Sequence, residues 1–65
     1  MKANLLRAEI ARAGMTQGGL AEKIGLSSQT LSKKIISGKF KLEEAEKIIR
    51  VLKIKNPIEI FLTSD

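Results

Sequence analysis

Ser28, Gln29, Ser32 and Lys33 carry the most chemical information in this chain. At spacings of i, i+1, i+4 and i+5 they fall on one side of a helix, away from Leu31 and Ile35, which mark its buried stripe. Two hydroxyls, a carboxamide and an ammonium can exchange hydrogen bonds with base edges. An amide such as Gln29 suits adenine N6 and N7, and Lys33 suits guanine O6 and N7. A face that is merely solvated is usually loaded with Glu and Lys. Thr16 ahead of this stretch, and Lys39, Lys41 and the backbone N–H groups near Gly38 behind it, are candidate phosphate contacts.

Other chemistries have little to stand on. The chain contains no Cys and no His, which removes disulfides, thiolate nucleophiles and the usual zinc ligand sets. Glu43, Glu44 and Glu46 lie close together, but no His, metal set or glycine loop surrounds them, so no acid–base catalysis is expected. Phe40 and Phe61 are the only aromatic residues, too few for the stacking platform of single-strand and RNA binders. Sixty-five residues make one domain with a small core, and a cleft enzyme is not expected at that size. No apolar run approaches the roughly 18 residues of a membrane span, and the N-terminus lacks a basic-then-apolar leader. We expect a protein of the cytoplasm with no enzymatic activity, no cofactor, no metal, no membrane association and no small-molecule ligand.

The formal net charge is +5, and it is unevenly placed. Residues 1–41 hold eight basic side chains against Glu9 and Glu22, whereas residues 42–65 hold four basic against five acidic. The excess belongs to the half containing Ser28–Lys33. A polyanion is the natural partner of such a half, since each neutralised phosphate releases condensed counterions. Charge kept for solubility alone would be spread more evenly.

The elements that must position these residues follow from period and punctuation. Residues 2–13 read as a first helix with Leu6, Ile10 and Ala13 on one face, Leu5 beside them, and no clear N-cap. Gly14 ends it, and Met15 folds back as a hydrophobic partner across the next cap. Thr16 caps a second helix whose inner face is Leu20, Ala21 and Ile24. Gly25 reverses the chain by taking positive φ, and Leu26 fills the angle. Ser27 caps a third helix running to about Ile36. Ser37-Gly38-Lys39 forms a loop, Phe40 plugs the core, and Leu42–Lys53 is a fourth helix with Leu42, Ala45, Ile49 and Leu52 as its stripe and Ile48 widening it. Its glutamates lie early and its cations late, as the helix dipole favours, with Glu43/Lys47 and Glu46/Arg50 as i, i+4 pairs. Asn56 can cap a last turn with Pro57 at its first position. Ile58–Leu62 then reads as a single helical turn, and the competing reading is a short strand on the alternation Ile58, Ile60, Leu62 that could pair with its twin in a second subunit. Of Ile58, Ile60, Phe61 and Leu62, one part is expected to complete the core and another to form a dimer contact. Residues 63–65 are expected to be a disordered tail.

Gln17, Leu20, Ala21, Gly25, Leu26, Ser27 and Leu31 stand at the spacing Q-x-x-L-A-x-x-x-G-L-S-x-x-x-L, which resembles the helix-turn-helix of the phage Cro and repressor class, the lambda-repressor-like DNA-binding domains. Leu31-Ser32-Lys33-Lys34, Ser37-Gly38-Lys39, Phe40-x-Leu42 and Ile60-Phe61 extend the resemblance over nearly the whole chain. It implies a compact all-α bundle of about five short helices, a single domain over residues 1–62 with its motif at 16–38. It further implies a short Cro-like transcriptional regulator of a phage or prophage, repressing by occupying a double-stranded DNA operator as a homodimer. Gln17 is then a phosphate contact that buttresses the reading helix. Two positions depart from the class. Gly18 and Gly19 stand where it usually carries Glu, Ser or Lys, leaving either a close backbone approach to a phosphate or a loose first turn. Lys34 replaces an apolar residue, so Ile35 and Ile36 are expected to supply the packing. Two alternatives stay open: a protein-interaction module of the same fold, such as an antitoxin, anti-repressor or adaptor, and the N-terminal fragment of a longer repressor.

Overall fold

Helix starts are set by side chains that accept from free first-turn N–H groups, and helix ends by residues that tolerate left-handed backbone. The computed structural model describes residues 1–63 and contains five helices, α1 Ala3–Arg12, α2 Gln17–Ile24, α3 Ser28–Ser37, α4 Leu42–Leu52 and α5 Pro57–Phe61, of which α2 and α3 show this punctuation at both ends. No strand occurs among the described residues, so the expected all-α bundle of five helices is what forms. Thr16 Oγ1 accepts from Gly19 N at 2.9 Å and Ser27 Oγ from Thr30 N at 3.1 Å, as their capping roles require. Lys2 precedes α1 with no side-chain cap, and Asn56, expected to cap α5, makes no such bond either. Its place is taken by Pro57, whose missing N–H needs no partner at a helix start.

The core gathers one to three residues from every helix: Leu6 and Ile10 from α1, Leu20, Ala21 and Ile24 from α2, Leu31 and Ile35 from α3, Ile48 and Leu52 from α4, Ile60 from α5. Ile54 joins them from the turn after α4. Burying these side chains offsets the backbone entropy that helices this short cannot recover alone. The ends of the chain are tied together, Lys2 N donating to Ile60 O at 2.8 Å.

Other expectations meet a different outcome. Ala13 is exposed because α1 stops at Arg12 and residue 13 turns away from the core. The buried stripe of α4 centres on Ile48 and Leu52, while Ile49 is half-buried and Leu42 is exposed, so the helix is rotated from the face its period alone indicates. Residues 58–62 follow the helical turn expected after Pro57 and not the alternative strand, and the turn sends Ile60 into the core, 4% exposed, leaving it out of the candidate subunit contacts. Ile36 supplies no packing. Thr63, placed in the expected tail, has its hydroxyl donating to Ile58 O at 3.1 Å, and residues 64–65 lie outside the described residues.

Candidate nucleic-acid interface

The arrangement of α2 and α3 depends on Gly25. Its φ of +78° closes α2, and Leu26 N reaches back to Ala21 O at 2.9 Å, so the chain reverses at once and Leu26 packs on the core from the turn. Ser27 then starts α3. A side chain built on Gly18 would meet Ser28 Oγ at 3.8 Å, which brings the first turns of α2 and α3 side by side. Gly19 sits tighter, with the position of a Cβ 3.2 Å from the capping Thr16 Oγ1. Its N–H is committed to that cap.

Ser28, Gln29 and Lys33 are exposed, and Ser32 is half-buried on the flank of α3. Gln29 and Lys33 form the outermost ridge of the helix, opposite Leu31 and Ile35. Ile36 lies on this same ridge, 75% exposed, and not in the packing expected of it. The signal that could have found it is periodicity: seven residues are about two helical turns, so Ile36 stands over Gln29 and not over Leu31.

The residues expected to hold a nucleic-acid backbone divide between the two ends of α3. Thr16 and Gln17 lie at the N-terminal end, Thr16 exposed and Gln17 half-buried. At the other end Lys39 and Lys41 are exposed. Ten residues at about 1.5 Å each put roughly 15 Å between these ends, comparable with the ~12 Å width of a major groove. The backbone donors expected near Gly38 are not free, however. Gly38 N bonds Lys34 O at 2.8 Å, Lys39 N is shared between Lys34 O and Ser37 Oγ at 3.3 Å each, and Lys41 N donates to Glu44 Oε1 at 2.9 Å. Gly38 contributes the left-handed end of α3, at φ +71°, and no N–H to a ligand.

Two charged side chains that composition counts toward a binding surface work inside the fold. Lys34 turns toward α4, its Nζ 3.1 Å from Glu44 Oε1. The same carboxylate oxygen accepts the N–H of Lys41. That bond first, and the Lys34 ammonium second, hold the Glu44 carboxyl below the usual glutamate range despite the opposing effect of burial. Arg12 donates from Nη2 to Leu52 O at 2.8 Å, satisfying the C-terminal end of α4, and pairs with Glu9 Oε1 at 2.6 Å. Of the cations in residues 1–41, Lys23, Lys33, Lys39, Lys41 and Arg7 remain exposed and form no ion pair among the described residues. Glu43/Lys47 and Glu46/Arg50 do not come within ion-pair distance either.

A second surface lies on another side. Phe40 and Phe61 pack edge to face, centroids 6.1 Å apart at 87°, and floor an open apolar groove of about 410 Å³. Leu42, Ile58 and Leu62 border it, the last two 69% and 78% exposed. No helix among the described residues is long and apolar enough to cross a membrane. Comparison with family models, with curated proteins and with solved structures finds no match for this chain.

Proposed function

We propose that this chain is a sequence-specific double-stranded DNA-binding regulator that lays α3 in a major groove, after the manner of the short Cro-like repressors its motif resembles. The observation that carries the reading is the exposed ridge of α3. It presents Gln29 and Lys33 beside Ser28 and Ser32, holds no carboxylate, and is flanked at one end by the capped start of α2 and at the other by two free lysines. In this reading Ser28, Gln29, Ser32 and Lys33 meet base edges, while Thr16, Gln17, Lys39 and Lys41 meet phosphates on either side of the groove. The regulator acts by occupying its operator in the cytoplasm, with no cofactor and no effector.

One copy is 25 Å in its longest dimension, shorter than the roughly 34 Å between successive major grooves on one side of a duplex. A two-fold pair reading two half-sites supplies the missing information. The groove bordered by Ile58 and Leu62 favours the same surface as the subunit contact, since a two-fold interface needs one patch that offers both projections and a hollow.

The test is binding of the chain to mixed-sequence duplex across a salt series, followed by selection of a preferred site. With Z phosphates neutralised, log K falls with a slope of about −0.9Z against log salt. Lys33→Ala lowers affinity, and Gln29→Ala relaxes discrimination at one position of the selected site. Binding that is absent, or flat with salt, refutes the reading. An interaction module then becomes the better account, with the Phe40–Phe61 groove as its surface.

A further inference from the structure

Four large apolar side chains are strongly exposed among the described residues: Ile36, Leu42, Ile58 and Leu62. Three of them border the Phe40–Phe61 groove and share one explanation. Ile36 does not line that groove, and it stands alone on an otherwise polar surface. Its direction is the informative quantity. At about 100° per residue, Ser28, Ser32, Gln29 and Lys33 span an arc of roughly 140° on α3, and Ile36 falls near the middle of that arc, within ~20° of Gln29. The buried residues Leu31 and Ile35 lie about 140° and 100° away around the helix, and Ile36 is left outside the core.

We infer that Ile36 is a specificity-determining residue that contacts the 5-methyl group of a pyrimidine in the major groove, an inference that rests on the proposed reading of α3. Among base-edge features in that groove, the methyl of thymine is the apolar one, and an aliphatic side chain amid hydrogen-bonding groups is the chemistry that distinguishes it. Seven residues beyond Gln29, Ile36 is about 10 Å further along the helix axis, toward the end of α3 that Lys39 and Lys41 flank. The site therefore carries its methyl-bearing base at a fixed offset from the base read by Gln29. The same chemistry is offered by 5-methylcytosine, which differs from thymine at position 4 and not at the methyl.

The experiment starts from the site selected by the full chain. Each thymine is replaced in turn by uracil, which removes the methyl and leaves the pairing edge intact, and dissociation constants are measured at one salt concentration for the wild type and for Ile36→Ala. At one position uracil weakens wild-type binding about three- to five-fold, the worth of one buried methyl. The same replacement leaves Ile36→Ala unchanged. At that position a C·G pair is then compared with and without cytosine methylation. A gain on methylation supports a methyl site open to both pyrimidines, and no gain, with the uracil effect intact, supports thymine alone. The inference is overturned if no uracil position separates the two proteins, as when Ile36→Ala weakens every duplex equally or none. If no site is selected at all, the DNA-binding reading fails first, which is a different result. Because Ile36 is exposed, the variant keeps its fold, and circular dichroism checks this directly.

Discussion

Lys53 is the one residue other than glycine with positive φ among the described residues, at +54°. It closes α4 in the position that Gly25 takes after α2, and the following residue, Ile54, turns back to bond Ile49 O at 3.1 Å and enters the core. Holding an L side chain in the left-handed region costs about 1–2 kcal/mol. Lys53→Gly relieves that strain, while the extra freedom of glycine in the unfolded chain gives back about 0.4–1 kcal/mol. The net expectation is a gain of about 0.5–1 kcal/mol. For a domain this small, 1 kcal/mol moves the melting temperature by roughly 4–8 °C, so a rise of about 2–8 °C should appear in a thermal melt followed by far-ultraviolet circular dichroism. Gly25→Ala is the same physics with the sign reversed. Nothing lies within 4 Å of a Cβ built there, so its cost is conformational and not steric, and the melting temperature should fall by a similar amount. Lys53→Ala, which keeps the strained backbone, tests whether the exposed lysine side chain itself matters, and should lie close to wild type. A fall in Lys53→Gly, or no fall in Gly25→Ala, would refute the claim that left-handed helix ends set the geometry of this chain.

Glu44→Gln should destabilise the chain at neutral pH by weakening both the Lys34 pair and the Lys41 N–H bond. Because the Glu44 carboxyl is held low in the folded state, its contribution is complete above the ordinary glutamate value of about 4.3 and is lost as pH falls through the folded value. The gap between wild type and variant in urea unfolding should therefore close in acid, and a gap that persists there refutes the linkage. Arg12→Met removes the guanidinium that satisfies Leu52 O. With the side chain about half exposed, solvent screens the loss to about 1 kcal/mol, measurable as a lower urea midpoint at unchanged slope. Ile60→Ala opens a core cavity and should cost about 2–5 kcal/mol, a large share of the stability of so small a domain, whereas Ile58→Ala should leave a monomer within about 0.5 kcal/mol. Equal effects at the two positions would contradict the helical turn at Pro57–Phe61. Under the proposed two-fold pairing, sedimentation should show a dimer for the wild-type chain that Leu62→Lys abolishes while leaving the monomer folded, and a dimer that survives the substitution would refute a contact through Leu62.

Local chemistry made much of this protein legible from its sequence. Thr16, Ser27 and Gly25 act on their immediate neighbours, through one hydrogen bond or one backbone angle, and the limits of α2 and α3 follow from them without knowledge of the rest. The polar ridge of α3 was legible for the same reason, since helical period alone separates Gln29 and Lys33 from Leu31 and Ile35. What the sequence left undecided depends on which neighbour a side chain meets across the fold. Leu42, Ile49 and Ile36 carry the same apolar signal as Ile48 and Ile35, but each helix can bury only the arc its partners cover, and that arc is set by the crossing of α4 and α3 with the rest of the bundle. Lys34 and Arg12 read as surface cations because their partners, Glu44 and the Leu52 carbonyl, lie on another helix. Capping residues thus determined where α2 and α3 begin and end, and periodicity which faces they turn outward. Only the tertiary packing decided which apolar residues are left outside and which charges are spent within.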